Sequence, residues 1–455
     1  MSDDPQNDSK SLGRNIFAEN KAPINTRKEE VKKVKEEPPQ AKSLGRSMFS
    51  DPNAGQDSIE DKSREFEIIE DKPLSDPEPV KKEKKKKNKK GKPAGKSKKI
   101  NAIHVSNENV IFAQTFYDGF SYKLINLQVV PIELPQLTAD NVFKDKEDPE
   151  IAIKKLQLQA IDSVFKKAKV SKSDPFIVSV MDGKNIIVKE AFVKNTPEEN
   201  IEFELPKVLP SPFDTFSKYE YVTLSTTGTD HRVLASIVDS KVFFGMQSIL
   251  SAAGVDCEVL DIDKMAMINL YQESVDPSVG SIGCIIDIGE HCSHIIIIPN
   301  GNEELYVRNI DFTYNQFKKM LQKNRDISSN ETDDMIRTRN FYDYITKAFE
   351  SETTENLNQH YPVKKYITMQ LLRELQKTFQ YYSGQNHNKV PTKIYITGKA
   401  VNMGKFPQFI TKNTDIACEH LDIADFFEGD DTLKIYAKEK LDVAHVCLGL
   451  ALRYE

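Results

Sequence analysis

The sequence predicts an α/β protein whose C-terminal half holds a strand–turn–strand unit, an amphipathic helix and a glycine-ended strand. Three stretches carry this expectation. Cys284-Ile-Ile-Asp-Ile-Gly289, followed by the apolar run Ile295 to Ile298 and by Asn300-Gly301, reads as a buried strand, a tight turn at an Asp-x-Gly, and a second strand. Leu371 to Tyr382 spaces its apolar residues as an amphipathic helix, and Lys393-Ile-Tyr-Ile-Thr-Gly398 reads as a strand closing on glycine. An acidic residue and a glycine at a strand end let a carboxylate and backbone N–H groups approach a phosphate or its Mg²⁺. Asp287 and Gly289 taken alone fit a ligand-free hairpin equally well.

The remaining elements follow in order from about Ile100. Ala102 to Phe112 is expected to be a β-hairpin turning at Ser106-Asn-Glu-Asn109. Ile153, Leu156, Ala160, Ile161 and Val164 share a helical face within 151–169. Phe176 to Met181 and Asn185 to Lys189 read as a second hairpin across Asp182-Gly183, and Pro206 to Pro212 as a proline-marked loop. Tyr221 to Ser225 and Val233 to Val238 are further strands. Lys241 to Ala253 is a helix closed by Gly254. A strand over Val255 to Leu260 and a helix over Asp263 to Gln272 precede the Asp287 hairpin. A long, mostly helical region from Tyr314 to Tyr382 follows, and a last helix over Asp442 to Arg453 comes after the Gly398 strand. Alternating strands and helices imply α/β layers.

Composition narrows the function classes. The chain has 455 residues, long enough for two or more domains, with 29% charged and 38% hydrophobic residues. A net charge of −6 gives no global nucleic-acid signature. The five cysteines form no C-x-x-C and lie in apolar or half-buried patterns. They read as core thiols of a reducing compartment. No apolar run is long enough to span a membrane, and Met1-Ser-Asp-Asp-Pro opens no apolar signal region, so a cytoplasmic protein is expected.

Residues 1–99 are expected to be a disordered tail, rich in Lys, Glu, Asp, Ser and Pro and unable to bury enough apolar surface to offset ordering entropy. The tail carries a repeat, K-S-L-G-R-x-(I/M)-F, at Lys10 to Phe17 and again at Lys42 to Phe49. Leu12, Arg14 and Phe17, with Leu44, Arg46 and Phe49, are the candidate partner-binding residues of two linked docking motifs; a chance duplication gives the same pattern. The lysine-rich run Lys81 to Lys99 suits acidic lipid head groups, RNA or an acidic protein face, and equally a solvated spacer. No aromatic residue interleaves with it, so base stacking is not supported.

Seven segments occur together in an order that resembles the PilM family, actin-like proteins of type IV pilus assembly. They are Val178-Ser-Val-Met-Asp-Gly-Lys-Asn-Ile-Ile-Val-Lys189; Leu209-Pro-Ser-Pro-Phe-Asp with Tyr219-Glu-Tyr-Val-Thr-Leu224; Ala253-Gly-Val with Val259-Leu-Asp-Ile-Asp-Lys-Met-Ala266; Ile286-Asp-Ile-Gly289; Glu374-Leu-Gln-Lys-Thr-Phe-Gln-Tyr-Tyr382; Ile394-Tyr-Ile-Thr-Gly398; and Leu448-Gly-Leu-Ala-Leu-Arg453. The likeness runs from about Ile100 to Glu455. It implies a two-lobed actin-like (ribonuclease H-like) fold, with a first lobe over 100–280, a small inserted subdomain at about 174–238, and a second lobe over 281–455. It also implies ATP with Mg²⁺ as cofactor, and a nucleotide site in which Asp287, Gly289 and Ser293 form the second phosphate loop, Lys377 and Thr378 stand where the family frames adenine, and Gly398 ends the adenosine strand.

Departures from the family pattern bear on activity. Where the family's first phosphate loop reads Asp-x-Gly-Ser-Ser, this chain has His104-Val-Ser-Asn-Glu-Asn109. Imidazole is a poor Mg²⁺ ligand, and the Ser106 side chain stands where the backbone must approach phosphate. Thr313-Tyr314 replaces a Gly-Gly, and Lys399 replaces the second glycine of the adenosine motif. Hydrolysis needs preorganised charge and an oriented metal. The cleft is therefore expected to be degenerate, with nucleotide binding weak or absent and no catalytic residue assigned. On an alternating strand His104 points either into the cleft or at solvent. His291 and Cys292 find no second ligand pair at suitable spacing, so no metal site is assigned. His445 and Cys447 are read as packing residues.

The resemblance implies a cytoplasmic scaffold at the inner face of the inner membrane, peripheral to it. There it would bind the cytoplasmic tail of a PilN-like inner-membrane partner and connect to the pilus assembly ATPases. The tail repeats have an unknown partner, and no specific nucleic acid is expected. The alternatives are an FtsA-like polymerising homologue and an active ATP-dependent kinase or ATPase of the same superfold.

Overall fold

The computed structural model describes residues 97–132, 149–180, 184–213, 216–278, 280–301, 303–325, 328–338, 345 and 362–453. The two tail motifs and the Asp182-Gly183 turn lie outside them.

Strands β1 (Lys98–Val105), β2 (Asn109–Tyr117) and β3 (Tyr122–Pro131) form an antiparallel meander. Helix α1 (Pro149–Ala168) buries Ala160, Ile161 and Val164, the face its spacing foretells, and leads to β4 (Phe176–Val180). β4 runs parallel to β1, not antiparallel to the next strand. The expected hairpin of Phe176 to Met181 with Asn185 to Lys189 is therefore replaced by a chain that leaves one sheet and starts another. Both segments are strands, but a turn signal between two strands does not make them neighbours in one sheet.

The second, smaller sheet holds β5 (Ile186–Val193), β6 (Lys218–Thr227) and β7 (Asp230–Val238) in the order β5-β7-β6, with helix α2 (Ile201–Val208) on the excursion between β5 and β6. Pro206, expected in a loop, lies inside α2. There it forgoes one backbone bond of a short helix whose Ile201 and Leu205 anchor the small core.

Helix α3 (Ser240–Ala253) is capped by the Asp239 side chain and ends at Gly254 in the left-handed region. It returns the chain to β8 (Cys257–Ile262), which completes a sheet ordered β3-β2-β1-β4-β8. Helix α4 (Asp263–Ser274) then carries the chain to a sheet of the same design. Here β9 (Ile282–Ile288), β10 (Ser293–Pro299) and β11 (Tyr306–Ile310) form a meander. Helices α5 (Tyr314–Arg325) and α6 (Ser329–Arg337) follow, then a π turn at Thr368–Leu372 that runs into α7 (Arg373–Gln385). Strand β12 (Lys393–Gly398), helix α8 (Phe406–Thr414) and strand β13 (Cys418–His420) complete the order β11-β10-β9-β12-β13. In both five-stranded sheets the first strand pairs antiparallel with the second and parallel with the fourth element of its series. This repeated plan forms the two lobes and gives each an equivalent turn after its first strand.

β9 and β10 are apolar on both faces because helices or the other lobe cover each side; Ile285, Ile286, Ile295 and Ile296 are wholly buried. Helix α9 (Asp431–Glu439) and helix α10 (Leu441–Leu450) close the chain. α10 buries Ala444, Val446, Cys447, Leu448 and Leu450, in the same core as the first sheet. An apolar helix with no polar face has to be covered all round, so the last helix returns to the first lobe.

Candidate functional site

The turn after β1 and the turn after β9 meet. In the first, Ser106 turns its hydroxyl inward. Its Oγ accepts from Glu108 N at 3.2 Å and Asn109 N at 3.0 Å, and donates to Asn109 O at 3.1 Å. Those are the N–H groups that a phosphate loop would present to an anion. Beside them, Gln157 on α1 donates to Ser106 O at 3.1 Å. His104 is buried, not solvent-facing, and its Nδ1 is paired with Ser179 Oγ on β4. Burial, with the neighbouring His445, pushes its pKa down to about 4, so the ring is neutral.

In the second turn Gly289 donates its N–H to Ser293 Oγ at 3.2 Å, and a Cβ at Gly289 would lie 2.2 Å from Cys292 O. Asp287 is buried, and its Oδ1 accepts from Thr397 Oγ1 at 2.9 Å and faces His445 Nε2 at 3.1 Å. Burial opposes ionisation of Asp287, but the imidazole and the hydroxyl outweigh it and hold the carboxyl below its usual range. His445 is thus a partner of Asp287, while Cys447 is the packing residue expected, with its thiol against Ala102 O and Ile111 O. Gly398 has φ 68°, and a Cβ there would stand 2.5 Å from both Asp287 Oδ1 and Ile288 O. Only glycine lets β12 end this close to β9.

Asp287, Gly289, Ser293 and Gly398 therefore gather at one corner. Lys377 and Thr378, on α7, make different contacts. Lys377 Nζ donates to Glu374 Oε1 at 2.8 Å, and Thr378 Oγ1 donates to Glu374 O at 2.6 Å and accepts from Arg308 at 3.3 Å. Arg308 and Glu374 form an ion pair that ties α7 to β11.

Four charged contacts gather around these turns, and no local sequence signature marks any of the pairings. Glu108, from the first turn, meets Nε2 of His291, from the second. Lys399 Nζ lies 2.9 Å from Glu290 Oε1 and 3.2 Å from Asp442 Oδ2, at the head of α10. Asp263 Oδ2, at the head of α4, lies 3.1 Å from His294 Nε2 on β10. Tyr314 is also buried, hydrogen-bonded to Asp333 at 3.0 Å, where the family pattern has glycine. Only the Tyr314 and Lys399 positions carried a sequence signal, as departures from that pattern. Pairings between residues far apart in sequence carry none.

The family described as "Type IV pilus assembly protein PilM" matches residues 102–455. The chain belongs to this family. The PilM fold is borne out by a solved PilM–PilN type IV pilus biogenesis complex, at 16% identity and a TM-score of 0.58, covering 78% of this chain and 98% of that one. The ethanolamine utilization protein EutJ of Carboxydothermus hydrogenoformans is similar at 9% identity and TM-score 0.40, covering 80% and 92%. MreB 5 of Spiroplasma citri, solved bound to AMPPNP, is similar at 12% and 0.39, covering 77% and 98%. No curated protein matches the chain. This PilM-family chain thus has the two-lobed actin-like fold expected of it. Among its described residues no helix is long and apolar enough to cross a membrane.

Proposed function

We propose that this PilM-family chain is a non-hydrolysing scaffold of a type IV pilus or related machine, peripheral to the cytoplasmic face of the inner membrane. It captures the cytoplasmic tail of a PilN-like protein and connects it to the assembly ATPases. The observation that carries the non-hydrolysing part is the first turn. Its backbone donors are occupied by Ser106, its acidic position is the neutral His104, and its Glu108 is joined to His291 opposite. A γ-phosphate and its metal would find those groups already committed. Purified protein should show no ATP turnover above background. Turnover that falls in Asp287→Asn would overturn this reading.

The small sheet is the proposed dock for the PilN-like tail. Neither Phe176 to Val180 nor Val233 to Val238 is an edge strand: β4 lies between β1 and β8, and β7 between β5 and β6. β5 faces the second lobe, where Glu190 accepts from Leu305 N at 2.6 Å. That leaves β6, which among the described residues pairs only with β7, to receive an extended peptide by main-chain hydrogen bonds. Crosslinks from a tail peptide should fall within 186–238, and a crosslink map without contacts there would sink the assignment.

The two K-S-L-G-R repeats remain proposed docking motifs for another machine component. Replacing Phe17 and Phe49 together by Ala should weaken assembly far more than either change alone, because avidity is lost. Normal assembly by the double variant would remove that role.

A further inference from the structure

We propose that Asp263, Cys292 and His294 form a binding site for a borderline divalent cation of the Zn²⁺ class at the junction of the two lobes. The three donor atoms converge from separate elements. Asp263 opens α4, the helix that leaves the first sheet, while Cys292 lies in the β9–β10 turn and His294 on β10 of the second sheet. His294 Nε2 stands 3.1 Å from Asp263 Oδ2 and 3.8 Å from Cys292 Sγ, and the three donor atoms all lie within 4.8 Å of one another. Around a tetrahedral zinc, ligands at ~2.0–2.3 Å sit roughly 3.3–3.7 Å apart. Small side-chain adjustments bring this set to that spacing.

The surroundings are those of a ligand set. His294 Nδ1 lies 3.0 Å from Asn309 Oδ1, an atom that only accepts, so Nδ1 carries the proton and Nε2 is turned toward the carboxylate and the sulfur. The neutral ring would then aim a lone pair at Asp263 Oδ2 across 3.1 Å, and that contact needs a cation: either a second proton or a metal. The other carboxylate oxygen is already committed, since Asp263 Oδ1 accepts from Lys264 N at 2.8 Å. Lys264 Nζ lies 3.6 Å from that same Oδ1, buried and, among the described residues, without a hydrogen-bond partner. Binding a dication would release the protons of His294 Nε2 and Cys292 Sγ, so the net charge buried beside Lys264 would stay the same. The donor types choose the ion. One thiolate, one imidazole and one carboxylate suit Zn²⁺ or Co²⁺, whereas Mg²⁺ and Ca²⁺ require oxygen cages. Cys292 is half-buried and Asp263 and His294 are fully buried, so the cysteine side is the entry path. Sequence spacing hid the set because Asp263 lies on a different lobe's helix.

The site would fasten α4 to β10 and so fix the lobes against each other, a role suited to a scaffold without a nucleotide cycle. The inference does not depend on the absence of hydrolysis. The test is metal titration of the full chain after chelator treatment, with Zn²⁺ and with Co²⁺ as the spectroscopic probe. One equivalent of Co²⁺ should give a near-ultraviolet thiolate charge-transfer band and tetrahedral visible bands, displaced by Zn²⁺. Cys292→Ser, close to isosteric at a half-buried position, should abolish the charge-transfer band and weaken binding at least tenfold, while Cys257→Ser changes neither. Asn309→Ala should weaken binding with the band retained. Failure of the folded chain to bind Zn²⁺ at micromolar concentration, or a charge-transfer band that survives in Cys292→Ser, would overturn the proposal and leave Asp263–His294 as a proton-bridged pair.

Discussion

Glu108 and His291 join the two lobes at the mouth of the cleft, carboxylate to imidazole, each from the turn that follows the first strand of its own sheet. The duplicated sheet plan makes the contact: equivalent turns of two equivalent lobes face each other, and here they carry opposite charge. The hydrogen bond that His291 donates to the Glu108 carboxylate raises the His291 pKa. Burial opposes ionisation of Glu108, but His291 prevails and its pKa falls. Below the folded pKa of His291 and above that of Glu108 the pair is therefore charged on both sides.

Glu108→Gln should open this latch. His291 is more than half exposed, so the pair contributes no more than about 1 kcal/mol, which is roughly a fivefold change in local opening. Amide exchange at residues 106–109 and 289–292 should quicken by up to that factor. In the native chain the same protection should be lost as pH rises through the folded pKa of His291, and again as pH falls through that of Glu108. Identical exchange in the variant would remove the latch.

Acid should unfold the protein through His104. Its folded pKa is about 4, against about 6.5 for an unperturbed imidazole, so the unfolded state takes up a proton first. The contribution is full above pH 6.5 and is lost as pH falls toward 4, about 3 kcal/mol at the limit. Chemical denaturation across that window should show the loss, and His104→Gln should flatten the slope there. An unchanged slope would mean that other groups set the acid limb.

Rebuilding the phosphate loop with His104→Asp and Ser106→Gly should free the Glu108 and Asn109 amides and restore a carboxylate. The new Asp would lie near Asp263 and Asp287, whose charges already act on His104, so the variant should melt lower without Mg²⁺. Mg-nucleotide should restore the melting temperature. Calorimetry should detect nucleotide binding only in the variant; no binding would place the block at the Glu108–His291 and Lys399 contacts.

Gly398→Ala should destabilise the chain by about 2–4 kcal/mol, because the new methyl meets Asp287 Oδ1 and Ile288 O and the backbone is left-handed. A melting temperature within a degree of the parent would contradict the close approach of β12 to β9.

Arg453 is buried with its Nη1 2.5 Å from Asp261 Oδ2, at the end of β8. Burial raises the Asp261 pKa against the pull of this guanidinium. Arg453→Met should cost about 3–5 kcal/mol by leaving that carboxylate unpaired, and adding Asp261→Leu should recover much of it. Equal losses in the single and double variants would show that packing, not charge, holds the C-terminus.

Much of the fold was legible before the structure. Helical spacing placed α1, α3 and α7, the Gly254 cap placed the end of α3, and Asp287-Ile-Gly289 placed the β9–β10 turn. Strand partners were less legible: Phe176-Ile-Val178 is an apolar run that suits any strand buried on both faces, and only the parallel ladder to β1 and β8 assigns it. The candidate site divided in the same way. Gly398 and Asp287 were found because each sits at a strand end with a local signature. Ser106 and Lys399 were found as departures from a pattern. His445 reads from sequence as a packing residue because its partner, Asp287, is remote in sequence.

The sequence by itself determined many of the secondary elements, the two lobes and the family, because periodicity, turn chemistry and motif order are local properties that survive without coordinates; β3 and α2 were not among them. Tertiary structure alone decided that Ser106 consumes its own turn's amides, that Glu108 meets His291, that Lys399 joins Glu290 to Asp442, and that Asp263 faces His294 and Cys292. Each of these depends on distances of a few ångströms between segments brought together by the crossing of two sheets. Electrostatic and ligand geometry vary steeply over that range, whereas hydrophobic patterning does not.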